Sequence, residues 1–171
     1  MRLWQKFLVF LLAGFALAGC QERSSVGDKV FMDLIRLYDA RLSEALIKGD
    51  MGGIKTIVTA GHGARLDHRL EGIKARGMKM ESRVSTMEPL EFKDLGDKLS
   101  GFPRYRARTR EIWDVRHVDA VTGKTVKEVR GLVYELNYEF EQHDGVWQVD
   151  SVEVVSQKIT GAPVVGAGSR R

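Results

Sequence analysis

Two stretches decide the fold of this chain: RYRARTREIW, residues 104–113, and LVYELNYEF, residues 132–140. In both, charged or small polar side chains alternate with aromatic or aliphatic ones, which is the period of a β-strand with one buried face. One register places arginines opposite acidic or amide side chains: Arg104–Glu141, Arg106–Glu139, Arg108–Asn137 and Arg110–Glu135. Because opposite charges across antiparallel strands stabilise the pair, this register predicts a hairpin.

The other face of the hairpin is apolar and holds one carboxylate: its pairs are Tyr105–Phe140, Ala107–Tyr138, Thr109–Leu136, Glu111–Tyr134 and Trp113–Leu132. A slip of one residue would set the arginines against leucine and tyrosine, so both faces specify the same register. A four-residue loop from Val121 to Lys124 gives this register. A two-residue turn would also give it, but would require a positive φ at Thr122, which a β-branched residue resists. We therefore expect the four-residue loop.

Helices are predicted before the hairpin. Apolar side chains recur at three- and four-residue spacing from about Asp28 to Gly49, which predicts one long helix. Its charged residues, Asp39 among them, are assigned to the opposite, polar face. Glycines interrupt the pattern that follows. Two short helices are therefore expected, from about Gly53 to Ala60 and from about Ala64 to Arg76.

The period then changes to that of strands. An extended segment is expected from Met80 to Phe92 with a break at Pro89, followed by a loop from Asp94 to Pro103. Three long strands come next: Tyr105 to Asp119, Thr125 to Gln142 and Val146 to Gln157. This order predicts an α+β fold, with N-terminal helices packed on an antiparallel β-sheet, in a single domain of residues 28–159. Residues 160–171 are expected to form a disordered tail.

The first 20 residues have the layout of an export signal. A basic start precedes an apolar run from Phe7 to Ala18, which is shorter than the roughly 20 residues that a membrane span needs. The run ends in Leu17-Ala18-Gly19-Cys20, which resembles the lipobox of bacterial lipoproteins, and Cys20 is the only cysteine of the chain. The alternative is cleavage after Ala18 without lipid attachment.

The lipobox resemblance implies that residues 1–19 are removed as a signal peptide and that Cys20 receives two or three acyl chains such as palmitate. Two or more chains hold a protein on a membrane where one does not. Residues 20–27 would form the tether. By the same resemblance, Gln21 after the cysteine implies the outer membrane, with the domain facing the periplasm of the cell envelope. The membrane is therefore an expected partner, reached through the lipid.

The retained chain is nearly neutral. Without Arg2 and Lys6 it has 25 basic and 23 acidic side chains. A nucleic-acid-binding domain normally shows a concentrated basic face, so no nucleic-acid partner is expected. With Cys20 acylated no disulfide can form, and the apolar core must hold the domain.

The order of elements and three short motifs resemble the nuclear transport factor 2-like superfamily. The motifs are a terminal-strand pattern, a Glu-x-Trp and a Tyr-x-Leu-x-Tyr: Gly145, Trp147, Val149, Asp150, Ser151, Val152 and Val154; Glu111 and Trp113; Tyr134, Leu136 and Tyr138. The likeness covers residues 28–157 and is strongest to the intermembrane-space domain of a plastid-division protein. It implies a curved sheet wrapped around a long helix as an open cone. One such fold serves interaction modules, isomerases, dehydratases and ligand carriers.

Glu111 is the candidate catalytic residue, with Tyr134 beside it in the predicted register. A carboxylate in an apolar pocket has a raised pKa, which suits a general base. The resemblance implies that an acid and a tyrosine can act together inside the cone. Two structural alternatives stay open, since ion-pair networks also perturb carboxylates. Glu111 lies at the open edge of the sheet, or it pairs with a helical arginine: Arg65, Arg69 or Arg76.

No metal or cofactor site is predicted. His68 and Glu71 are three residues apart, but they supply two ligands where zinc takes three or four protein ligands. The glycine-rich segment from Gly49 to Gly63 lacks the phosphate-loop motif. The hairpin arginines are expected to form a solvated ladder with the acids opposite them rather than an anion site.

A membrane-tethered binding or scaffolding module is the favoured function, because no convincing second catalytic group accompanies Glu111. The predicted partner face is the concave aromatic face, which would take a segment of an envelope protein or a small apolar ligand: Tyr105, Trp113, Leu132, Tyr134, Leu136, Tyr138 and Trp147. If these side chains fill the core, binding must occur elsewhere. The alternatives are an isomerase- or dehydratase-like enzyme using Glu111 and Tyr134, and a carrier of a small apolar ligand.

Overall fold

The computed structural model describes residues 26–96 and 101–160. The predicted signal peptide, Cys20 and most of the tether lie outside the described residues, as does the predicted tail after Thr160. Within the described residues, no helix is both long and apolar enough to cross a membrane.

Two helices precede four strands. Helix α1 spans Val26–Lys48 and helix α2 spans Ala60–Lys74. The strands are β1, β2, β3 and β4: Met78–Gly96, Arg104–Asp119, Thr125–His143 and Val146–Ile159. They form one antiparallel sheet in the order β1-β2-β3-β4. Two helices packed on a curved, open antiparallel sheet confirm the predicted α+β fold.

Helix α1 forms because its apolar side chains share one face, which packs on the sheet. Its buried apolar residues are Phe31, Met32, Ile35, Tyr38, Leu42, Ala45 and Leu46. The helix stops at Gly49, which has a φ of 75° and whose N–H donates to the carbonyl oxygen of Ala45 at 2.8 Å. Such a left-handed residue favours glycine, so the predicted stop is confirmed.

The helix expected from Gly53 to Ala60 is wrong. Residues 51–58 form turns, and Val58 bridges Val149 of β4 in parallel. The side chain of Thr59 accepts the N–H of His62 at 3.3 Å and caps helix α2. Because this cap satisfies the first turn, α2 begins at Ala60, about four residues before the predicted start.

Strand β1 is continuous through Pro89, where a break was predicted. It has a neighbour on one side only, so the missing N–H of proline can face away from the sheet. Three register shifts lie along it, at Val84/Thr86, Pro89/Glu91 and Asp94/Gly96. These irregularities hide the simple alternation that identified the other strands.

The predicted register of the hairpin is confirmed from Arg104↔Glu141 to Trp113↔Leu132. The predicted loop is wrong by one residue, because Asp119 is hydrogen bonded to Lys124 and the turn occupies residues 120–123. Two register shifts, after Trp113 and after His117, compensate for this difference.

Gly131 occupies the first of these irregularities. Its φ is 65°, and its N–H donates to the Asp114 carboxylate at 2.9 Å. A glycine in this left-handed conformation is typical of a β-bulge, which lets two residues oppose one. The bulge preserves the inward orientation of the residues toward Arg104.

The core lies between α1, α2 and the inner face of the sheet. The described residues form one main apolar cluster and a second, smaller one of Trp113, Val129 and Leu132. The outer face of β2 and β3 carries the arginine ladder, with N–O distances of 2.5 Å for Arg106–Glu139 and 2.7 Å for Arg108–Glu135. The predicted division of the hairpin into a buried and a charged face is therefore confirmed.

Candidate functional site

Glu111 is fully buried on the inner face of β2, an internal strand of the sheet. Three neutral groups donate to its carboxylate: the Thr109 hydroxyl at 2.7 Å, the Trp113 indole N–H at 2.8 Å and the Tyr138 hydroxyl at 2.9 Å. Both alternatives for Glu111 are corrected by this position. It lies neither at the edge of the sheet nor against an arginine, because neutral side chains of β2 and β3 already surround it.

Tyr138 joins Glu111 to a second buried acid, Asp39 of helix α1. The Tyr138 hydroxyl oxygen lies 2.9 Å from Glu111 Oε1 and 3.1 Å from Asp39 Oδ1. A phenol has one proton and can donate to one carboxylate at a time. Glu111, with two further donors, is the better-stabilised anion. The remaining contact is satisfied when Asp39 is protonated and donates through Oδ1 to the Tyr138 oxygen.

The pKa values agree with this arrangement. Burial raises the pKa of Asp39 to about 8, and the nearby Glu111 carboxylate contributes in the same direction. Burial also raises the pKa of Glu111, while its three hydrogen bonds lower it. The pKa of Tyr138 lies well above its usual value, because burial and both acids oppose a phenolate. At neutral pH the network therefore holds one negative charge, on Glu111.

A cleft of about 380 Å³ lies between helix α1 and the middle of β1. Its walls combine helical and strand residues: Arg36, Asp39, Ala40, Ser43, Ser82, Arg83, Val84, Ser85, Thr86 and Met87. Asp39 is 4 % exposed, and its Oδ2 has no hydrogen-bond partner among the described residues. The buried acid network therefore reaches a cleft that is open to solvent.

Charged and hydroxyl side chains surround Asp39 in the cleft. The guanidinium of Arg36 lies 2.9 Å from Asp33 in an exposed pair, and Arg83 is exposed. The hydroxyls of Ser43 and Ser82 lie 3.1 Å apart and connect the helix to the strand. The cleft thus presents positive charge and hydroxyl groups around a neutral acid.

A second polar cluster fixes helix α2 to the end of the sheet. The Tyr38 hydroxyl lies 2.9 Å from His62 Nε2. Thr59 donates to the Asp150 carboxylate at 2.9 Å, and Arg65 donates to the Asp150 carbonyl oxygen at 2.6 Å. Burial lowers the pKa of His62 to about 4, and Arg65 contributes to this shift. A neutral histidine with these bonds is a structural element.

Sequence reasoning placed Glu111 correctly but paired it with the wrong tyrosine. Tyr134 is its cross-strand neighbour and is partly buried, whereas the hydroxyl bonded to Glu111 belongs to Tyr138. Asp39 was assigned to the polar face of the first helix, and it is buried instead. The available signal was its spacing, four residues after Ile35 and three before Leu42, which places it on the apolar stripe.

The predicted partner face is largely part of the core. Of its residues, four are buried and three are partly buried: Trp113, Leu132, Leu136 and Tyr138; Tyr105, Tyr134 and Trp147. Tyr105 stacks on Phe31 with ring centroids 4.0 Å apart, and its hydroxyl donates to Asp28 at 2.9 Å. These contacts give the aromatic side chains a packing role, and ligand binding by them stays a prediction.

In residues 26–96 and 101–160, no three histidine, cysteine or acidic side chains are grouped as a metal site would need. His68 and Glu71 both lie on helix α2. The arginines of the outer face contact acids: besides the two pairs above, Arg104 lies 2.5 Å from Glu139 and Arg110 lies 3.0 Å from Glu135. The predicted charge ladder is therefore present.

No family model matches the sequence, and neither does any curated protein. Among solved structures, the intermembrane space region of the chloroplast protein ARC6 is similar, with a TM-score of 0.59 and 12% identity over 78% of this chain and 98% of that chain. A protein of unknown function from Mycobacterium tuberculosis gives a TM-score of 0.46 at 13% identity, over 80% and 78% of the two chains. A protein from Catenulispora Acidiphila gives 0.45 at 13% identity, over 76% and 94%. The likeness to the ARC6 region shows a common fold alone.

Proposed function

We propose that this chain is a lipid-anchored binding module of the bacterial cell envelope, and that the cleft between α1 and β1 is its ligand site. The observation that carries the proposal is the position of Asp39. A buried acid with an unpartnered oxygen lines an open cleft of the size that small ligands occupy. A buried polar atom without a partner costs free energy, and such groups concentrate at functional sites.

The nuclear transport factor 2-like superfamily is part of the proposal. Its support is the order of elements, the motifs around Glu111 and Tyr138, and the common fold with the ARC6 region. The domain acts as a binding module because the one acid pair it holds is joined to a structural network of hydrogen bonds. A partner of the ARC6 kind is not implied at this level of identity.

The anchor is tested by Cys20→Ser. The variant should lose labelling by radioactive palmitate and leave the membrane fraction, because the thiol that carries the lipid is gone. Ser24→Ala, a loss of one hydroxyl in the same segment, should behave as wild type. Equal labelling of the Cys20→Ser variant would contradict the anchor.

The cleft is tested by Ala40→Trp, which places an indole in it. Ala40 is exposed, so the substitution should leave folding intact while it fills the cleft. Small molecules extracted from purified wild-type protein and identified by mass spectrometry should be lost from the variant. Leu37→Trp, an equal addition on the exposed side of the same helix, should retain them. Identical extracts from all three proteins would contradict the binding site.

An enzyme is the second candidate, supported by the pKa of Asp39 near 8, which suits proton exchange at neutral pH. In this form Asp39 takes the role that the sequence gave to Glu111, with Tyr138 in place of Tyr134. Asp39→Asn keeps the hydrogen bonds but cannot exchange a proton. The variant should carry the same compound as wild type if the domain only binds, and an unconverted compound of different mass if it is an enzyme.

A further inference from the structure

We infer that the cleft selects a small amphipathic anion that carries a hydroxyl group close to its anionic end. In this arrangement the hydroxyl donates to Asp39 Oδ2 and the anionic group pairs with Arg83 and Arg36. The inference rests on the proposed binding function and names the chemical class of its ligand.

The requirement for a hydroxyl follows from the proton count in the buried network. The single proton of Tyr138 is donated to Glu111, so the proton of Asp39 lies on Oδ1, facing Tyr138. Oδ2 is then a carbonyl-type oxygen, which accepts hydrogen bonds and cannot donate them. It has no partner among the described residues. The ligand group that completes the site must therefore be a donor.

The sign of the charge follows from the rim of the cleft. Arg36 and Arg83 both line it, and the acid between them is neutral at pH 7. Arg36 is held by Asp33 in an exposed pair, which is a weak interaction that a ligand can replace. Two guanidinium groups repel an ammonium donor and attract a carboxylate or phosphate. A neutral hydroxyl is therefore the donor that fits beside them.

The apolar part of the ligand follows from the remaining walls. Ala40, Val84 and Met87 line the cleft together with the polar residues. A cleft of about 380 Å³ lies in the lower range of small-molecule sites, which suits a ligand with a short hydrocarbon chain. The hydroxyl pair of Ser43 and Ser82 supplies further hydrogen bonds near the helix.

The test compares three matched probes on the full protein in phospholipid nanodiscs, by isothermal titration calorimetry at pH 7. 3-Hydroxydecanoate carries both groups, decanoate lacks the hydroxyl, and 1,3-decanediol lacks the anion. A site built to hydrogen-bond a hydroxyl rejects an analogue without it, and solvent access to the cleft reduces this effect. We expect 3-hydroxydecanoate to bind on the order of tenfold more tightly than either analogue.

Two variants separate the charge from the fold. Arg83→Gln should weaken 3-hydroxydecanoate several-fold and leave 1,3-decanediol unchanged, because only the anion pairs with the guanidinium. Lys93→Gln removes an exposed positive charge of the same strand outside the cleft and should change neither probe.

Equal affinity for 3-hydroxydecanoate and decanoate would overturn the hydroxyl, and equal affinity for 3-hydroxydecanoate and the diol would overturn the anion. No saturable binding of any probe would overturn the ligand class. These failures are distinct from failure of the binding function itself, which would appear as extracts unchanged by Ala40→Trp.

Discussion

The two faces of the β2–β3 hairpin hold glutamates in opposite electrostatic states. On the outer face, hydrogen bonds from Arg110 and Arg108 lower the pKa of Glu135. On the inner face, burial raises the pKa of Glu111, and its hydrogen-bond donors are neutral. The two side chains lie on the same pair of strands, so the difference comes from what surrounds each carboxylate.

The comparison shows that charge is compensated in two different ways. The outer face uses opposite charge, which water and salt screen. The inner face uses neutral donors and a shared proton, because no cation is present to pair with Glu111 or Asp39 in the described core. The inner arrangement should therefore be costly to break and sensitive to pH, and the outer one should be neither.

The largest difference is expected from Glu111→Ala. The change leaves three buried donors without an acceptor and opens a cavity, so the free energy of unfolding should fall by about 3–5 kcal/mol. Glu111→Gln should cost about 1–3 kcal/mol, because its amide group opposes one of the three donors. Both values can be read from urea denaturation at pH 7.

Glu135→Ala is the matched control on the outer face. It removes an acceptor of Arg108 and Arg110, whose guanidinium groups remain partly solvated. Its loss of stability should be a small fraction of that of Glu111→Ala and should shrink further in 0.5 M salt, a concentration at which the Debye length is only about 4 Å. Equal losses on the two faces would remove the distinction between them.

A pH-dependent difference is expected from Asp39→Asn. The native carboxyl has a pKa of about 8 and the unfolded one a value near 3.8. Between these values the native state binds a proton that the unfolded state has lost, so stability falls as pH rises, by at most about 1.4 kcal/mol per pH unit, and levels off above pH 8.

The Asn variant cannot titrate at this position, and its amide can donate to Tyr138 as the protonated acid does. Wild type minus variant, measured by urea denaturation at pH 5, 6, 7 and 8, should therefore decline steadily across the series. Two parallel curves would show that Asp39 is ionised in the native state.

The smallest difference is expected between two tyrosines of β3. Tyr138→Phe removes the hydroxyl that joins the two acids and should cost about 1–3 kcal/mol. Tyr134→Phe removes a hydroxyl without a hydrogen-bond partner among the described residues, and its stability should lie within about 0.5 kcal/mol of wild type. Reversed effects would restore Tyr134 as the partner of Glu111, as the sequence had indicated.

The hairpin could be predicted in detail because two independent patterns agreed. Opposite charges on one face and apolar pairs on the other both require Arg104 to face Glu141, and the structure has that pairing. A strand with bulges gives no such agreement. Strand β1 therefore appeared as separate extended segments, although its pairing with β2 is continuous through Pro89.

The candidate site could be predicted only in half. Glu111 stood out because a carboxylate on an apolar strand face has no obvious local reason. Asp39 did not, since charged residues are common along an amphipathic helix and the choice of face depends on a rotation of a few tens of degrees. The selection of Tyr138 over Tyr134 depends on where helix α1 crosses the sheet, which local pairing does not determine.

The irregular edge of β1 has a consequence for aggregation. A free strand edge is a template on which another chain can add a strand, and β1 offers one of 19 residues. Its three register shifts interrupt the even spacing that an incoming strand would need, and Pro89 removes a donor. The exposed charges of Glu88, Glu91 and Lys93 would lose water on such an approach. The edge from which a fibril could grow is thereby blocked within the strand itself.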